Sequence, residues 1–132
     1  MQHDEFIGQV QARARLSSRG DAERATRATL ETLAERLAGG LKDNLAAQLP
    51  PELSRHLQQQ PASSDPFGLD EFFHRVANRE RVDLPQATFH ARAVIEVIGE
   101  AVTQGQLAKV RDQLPAEFDP LFSSGSTGQL RG

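Results

Sequence analysis

The stretch Gln48-Leu49-Pro50-Pro51-Glu52-Leu53 returns as Gln113-Leu114-Pro115-Ala116-Glu117-Phe118, at an offset of 65 residues, and no other feature constrains the fold as strongly. In each copy the leucine is placed to end one short helix and a proline to open the next, where its missing N–H costs little. The pattern predicts a corner between two helices. Leu53 and Phe118 then reach a core from equivalent places, and Glu52 and Glu117 fall in a first helical turn, where a carboxylate suits the positive end of the helix dipole.

Ahead of the first corner, Phe6, Ile7, Val10 and Ala14 recur at spacings of three and four, which predicts an amphipathic helix over about 4–15. Leu16-Ser17-Ser18-Arg19-Gly20-Asp21 supplies capping hydroxyls, a carboxylate and a glycine for a turn. A longer helix follows near 21–38, with Ala22, Ala25, Thr26, Thr29, Leu30, Leu33 and Leu37 gathered on one face. Gly39-Gly40 is expected to end it, because glycine takes the left-handed C′ conformation without steric cost. A third helix carries Leu41, Leu45 and Leu49 into the corner, and a fourth, about 51–58, contributes Leu53 and Leu57.

Gln58 to Pro66 has the polar, proline-bearing composition of a connector. Asp70-Glu71-Phe72 then matches Asp4-Glu5-Phe6 at an offset of 66, which becomes 65 beyond the next turn, so one extra residue belongs in the Ser17 to Asp21 turn. Ala87, His90, Ala91, Val94, Ile95, Ile98 and Val102 take the places of Ala22 to Leu37 on the long-helix face. Gly105 repeats Gly40, Val110 repeats Leu45, and Leu121 and Phe122 close the unit. The expected architecture is a compact eight-helix all-α domain of two pseudo-twofold-related four-helix repeats sharing one core. Its parts are a first repeat at 4–58, a linker at 59–69, a second repeat at 70–122 and a disordered tail at 123–132. At 132 residues such a chain buries roughly two-thirds of its unfolded surface.

A net charge of −3 argues against a protein whose main work is neutralising phosphates. With no cysteine there is no disulfide framework, thiolate nucleophile or cysteine-held zinc, and the expected location is the cytoplasm. Met1-Gln2-His3-Asp4-Glu5 leads into no apolar signal segment, and no apolar run approaches a membrane span, so no membrane partner is expected.

The duplicated Asp-Glu-Phe, long-helix and Gln-Leu-Pro-x-Glu features resemble the bacterial domain-of-unknown-function family 2267 over about residues 4–122. That resemblance implies a small, soluble, all-helical protein and brings no catalytic residues with it. A second likeness, from Phe6 to Gly40 and from Phe72 to Gly105, is to the helical half of the HU/IHF histone-like proteins. Those proteins grip DNA with basic β-arms; here Leu-Pro corners follow instead, with Lys42 and Lys109 nearby, so the likeness implies a fused pseudo-dimer body without the arms.

Several residues invite a functional reading. Glu71-x-x-His74 has the spacing of a di-iron helix pair, but the first repeat offers Glu5 and Gly8 there, so the set is incomplete and exposed helix residues are expected. Glu52 and His56, four apart, read as a surface contact. His90 stands on the apolar face where the first repeat has Ala25, and is expected to be a buried, neutral histidine whose fold loses stability below about pH 6. The stripes Arg27/Glu31/Glu35 and Arg92/Glu96/Glu100 read as intrahelical charge pairs or, since both repeats carry them, as a partner surface. Arg13, Arg15, Arg19, Arg24 and Arg27 form the densest basic run, interrupted by Asp21 and Glu23 and without aromatic side chains for base stacking.

With no phosphate-cradling loop and no complete metal or triad set, the expected function is a non-enzymatic protein-interaction or self-association module with no catalytic, cofactor or metal residues. One alternative is a nucleic-acid-associated protein using Arg13, Arg15 and Arg19. Another is a small-molecule or metal carrier using the space between the long helices, with His90.

Overall fold

A computed structural model of the chain describes residues 1–123, and every regular element among them is helical. Helix α1 runs His3–Arg13, α2 Arg19–Arg36, α3 Gly39–Ala47 and α4 Pro51–Gln58. Helix α5 spans Leu69–Glu80, α6 Leu84–Ala101, α7 Gln104–Gln113 and α8 Asp119–Phe122. The tail expected at 123–132 falls outside the described residues apart from Ser123.

The long helices α2 and α6, 18 residues each, pack on one another and on α1 and α5. Every position picked out on their two apolar faces is buried, from Ala22 to Leu37 and from Ala87 to Val102. One hydrophobic cluster joins Phe6, Leu30 and Leu33 to Phe72, Ile95 and Ile98. Phe72 meets Phe73 and Phe118 edge-on at 5.9 and 6.0 Å. Each such fully buried side chain contributes about 2 kcal/mol. The connector is anchored to this core: Phe67 is buried, with the Arg75 guanidinium 3.8 Å from its ring centre, and Ser63 donates its N–H to the Glu35 carbonyl.

Helix α2 begins two residues earlier than the spacing suggests, because Ser18 acts as its N-cap, and Asp83 does the same for α6; they accept from the amides of Asp21 and Gln86 at 3.0 and 2.9 Å. Their ends also differ from expectation. Leu37 and Val102 turn into extended backbone, so the helices stop before the glycines, and Gly39 opens α3 with φ +53°. Any other L-residue at Gly39 is strained there.

At the first corner Pro50 caps α4 and Pro51 is its first residue. The second corner is tighter. Pro120 has no N–H to give to the Ala116 carbonyl, so Ala116–Phe118 forms a 3-10 turn and α8 restarts after it. Leu53 and Phe118 are both buried, as the recurrence requires.

The corner glutamines cross between the halves. Gln48 Oε1 accepts the Thr103 N–H at 2.8 Å, and Gln113 Oε1 accepts the Ala38 N–H at 3.1 Å. Ala38 and Thr103 are the N-caps of α3 and α7, so each corner secures the helix start of the opposite half. Donors and acceptors alike are separated by the same 65 residues. The turns after α1 and α5 also agree: Arg15 and Arg81 adopt left-handed φ of 55° and 65°, and the next amide in each donates five residues back.

Candidate functional site

The glutamates of the two charged stripes pair with arginines on other helices. Arg13 on α1 reaches Glu96 and Glu100 on α6 at 2.8 and 2.7 Å. Arg79 on α5 reaches Glu35 on α2 at 2.8 Å and Glu31 at 3.7 Å, and donates to Thr32 Oγ1. Each half thus offers an arginine to two glutamates of the other, and Arg75 adds a further contact to Glu35 at 3.3 Å. Hydrogen bonding to Arg13 holds the Glu100 carboxyl below its ordinary range; burial pushes Glu35 up, but Arg79 and Arg75 outweigh it and leave Glu35 low. The expected partner surface is therefore engaged within the chain. Of its arginines, Arg27 lines a cleft in the first half and Arg92 is half-buried on α6.

The basic run of the first half is divided in the same way. Arg13 is held in that clasp, Arg19 lies 2.6 Å from Asp4 and 3.6 Å from Glu23, and Arg24 is 2.6 Å from Asp21. Arg15 lines a different pocket from Arg27. Most of the run is thus paired with carboxylates of the same chain. On α5, Glu71 pairs with Arg75 at 2.8 Å and His74 Nδ1 donates to the Asp70 carbonyl, so both members of the di-iron-like spacing are locally engaged. Glu52 and His56 line one cleft, and burial pushes the His56 imidazolium below its ordinary value.

His90 is buried, 6% exposed, as its place on the apolar face predicts. Its partner was not legible. Nδ1 lies 2.5 Å from Oε2 of Glu80, the last residue of α5, itself only 2% exposed. His90 is thus not alone in an apolar core but shares its place with a buried glutamate. The other Glu80 oxygen, Oε1, is buried with no hydrogen-bond partner among the described residues.

Glu80 and His90 line a pocket of about 310 Å³ where the α1–α2 turn faces the α5–α6 turn. Arg15, Leu16, Asp21 and Arg24 come from one side, Val82 and Gln86 from the other. Ser17 is there too, its hydroxyl directed at Asp21 Oδ2, 3.5 Å away. At the same chain offsets, the first half has the buried Ala14 for Glu80 and the buried Ala25 for His90. A charged residue at the Ala14 position was the sequence signal for Glu80.

Fold and pocket together define a small all-helical protein with one buried carboxylate–imidazole pair opening to a polar pocket. The chain belongs to the family described as Uncharacterized conserved protein (DUF2267), whose sequence profile it matches over residues 3–121. No curated protein matches it. Among the described residues no helix is long and apolar enough to cross a membrane, and no three His, Cys, Asp or Glu side chains gather to hold a metal ion.

Proposed function

We propose that this protein is a non-enzymatic binding module, made of two copies of one four-helix unit, that takes a small polar ligand into the pocket over Glu80 and His90. The observation that carries the reading is Glu80 Oε1, buried without a donor at that pocket. A buried acceptor left unsatisfied costs about 1–3 kcal/mol, which a ligand bearing an ammonium, guanidinium or hydroxyl group offsets. Two alanines fill the matching places in the first half, so the helical unit does not need a buried ionisable pair to pack. The reciprocal glutamine bonds and arginine clasps support the duplication. They also make the body rigid, which favours a preformed pocket.

Titration with methylammonium, guanidinium and ethylene glycol, followed by amide NMR shifts, tests this. Saturable shifts at Leu16, Val82 and Gln86 that vanish in Glu80→Ala/His90→Ala are expected. Shifts unchanged by that double substitution, or none at all, contradict the proposal.

Self-association is a second reading, favoured by Leu84 and Phe89, which are 38% and 48% exposed on α6. Light scattering that gives a dimer for the wild type and a monomer for Phe89→Ser supports it; a monomeric wild type removes it.

A further inference from the structure

A second cavity lies elsewhere, between α1, α2 and α4 of the first half, with a volume of about 430 Å³. Its floor is the buried pair Ile7 and Leu53, and its walls carry Arg24, Arg27, Arg55 and His56. We propose that this cleft is a second, independent binding site, for a small organic oxyanion whose carboxylate or phosphate head meets Arg27 and Arg55 while its apolar body covers Ile7 and Leu53.

Charge pairing sets these two apart from most of the arginines on α1, α2 and α5. Arg13, Arg19, Arg24, Arg75 and Arg79 each have a carboxylate within 4.0 Å, the last four at distances of 2.6 to 2.8 Å. Arg36 instead faces the rings of Phe67 and Phe118. Arg27 and Arg55 have no ion pair among the described residues, yet both line one concave surface. A guanidinium presents several donors in a planar fork that matches an oxyanion, and an apolar floor beside it adds affinity without adding charge.

The second half keeps Arg27 as Arg92 but changes the rest of this basic set. At the corresponding positions His3 becomes Leu69, Arg24 becomes Phe89, Arg55 becomes Pro120 and His56 becomes Leu121. Leu121 is fully buried, whereas His56, at the same place in the first half, is only half-buried and lines the cleft. His56 reinforces the inference. Its imidazole is half-buried beside Arg55, Arg27 and His3, with Glu31 the opposing charge, and an anion in the cleft offsets that crowding of positive groups.

Glu23 and Glu52 also line the cleft, and they decide its scale. A polyanion crossing the cleft meets both carboxylates with many charges, whereas one compact anionic head meets them with few. The structure therefore favours a small acid over a nucleic-acid backbone.

The test uses the full chain with benzoate and phenyl phosphate as probes and benzyl alcohol and inorganic phosphate as controls, read by amide NMR shifts and calorimetry. Saturable binding of a probe is expected, with shifts at Ile7 and Leu53, and at least a tenfold loss of affinity in Arg27→Gln and in Arg55→Gln. Both side chains are exposed, so the melting temperatures of the two variants should stay near that of the wild type. Equal affinity in both variants, probe shifts confined to other surfaces, or benzyl alcohol binding as well as the acids would overturn the proposal. Failure here leaves the Glu80 pocket untouched, because that pocket shares only Arg24 with the cleft.

Discussion

At matched places the first half of the chain carries Ala14 and Ala25 and the second carries Glu80 and His90, and all four are buried. The surrounding frame is closely alike: the same order of helices, a left-handed arginine after α1 and α5, N-caps on both long helices, and corner glutamines that reach across. The difference teaches which polar groups belong to the frame and which do not. Arg13 and Arg79, present in both halves with two glutamates each, are the frame's clasps. The Glu80–His90 pair occurs on one side only, at a pocket. The opposite asymmetry marks the first-half cleft, where His3, Arg24 and His56 stand at the places of Leu69, Phe89 and Leu121.

The comparison can be broken most sharply at His90. His90→Ala leaves the Glu80 carboxylate buried without its partner and should cost about 3 kcal/mol in denaturant unfolding. A loss under about 1 kcal/mol would mean that Glu80 finds water when His90 is gone.

The clasps come next. Arg79→Gln should cost about 1–2 kcal/mol and Arg13→Gln about half as much, because Glu35 is far less exposed than Glu100. Equal losses in thermal unfolding would contradict the claim that burial sets their strength. Thr29→Val tests the long-helix faces in the other direction. Thr29 Oγ1 is buried without a partner, and its second-half counterpart is already Val94, so the substitution should stabilise by about 1 kcal/mol and raise Tm by about 4 °C.

The smallest effect is with pH. Burial lowers the affinity of folded His56 for its proton relative to the ordinary 6.5, so the unfolded chain protonates first and stability falls as pH drops through that value. His56→Gln should flatten the stability profile between about pH 7.5 and about pH 5.5. Glu35 and Glu100 are held below the ordinary 4.5, so the stability they contribute is present above that value and disappears on further acidification.

The helical class, the buried faces of α2 and α6, the proline corners and the burial of His90 were legible because they depend on spacing along one helix. Partners across space were not. The Arg27/Glu31/Glu35 stripe gives the face of α2 that its charges share, but nothing in the periodicity says that Arg79, on another helix, closes over it. Gln48 and Gln113 read as parts of a corner, and their bonds to Thr103 and Ala38 emerge only when the halves face each other. Glu80 sits in the run Asn78-Arg79-Glu80-Arg81, whose composition is that of an exposed helix end. Gly39-Gly40 looked like a helix stop because glycine ends many helices, yet Leu37 had already left helical backbone.

The most direct measurement is the unfolding free energy of wild type, His90→Ala and Glu80→Ala/His90→Ala, with the methylammonium titration repeated on the double variant. Restoring the alanines of the first half should bring stability back to within about 1 kcal/mol of wild type while abolishing binding. A double variant as unstable as His90→Ala alone, or one that still binds, would contradict the division between frame and pocket.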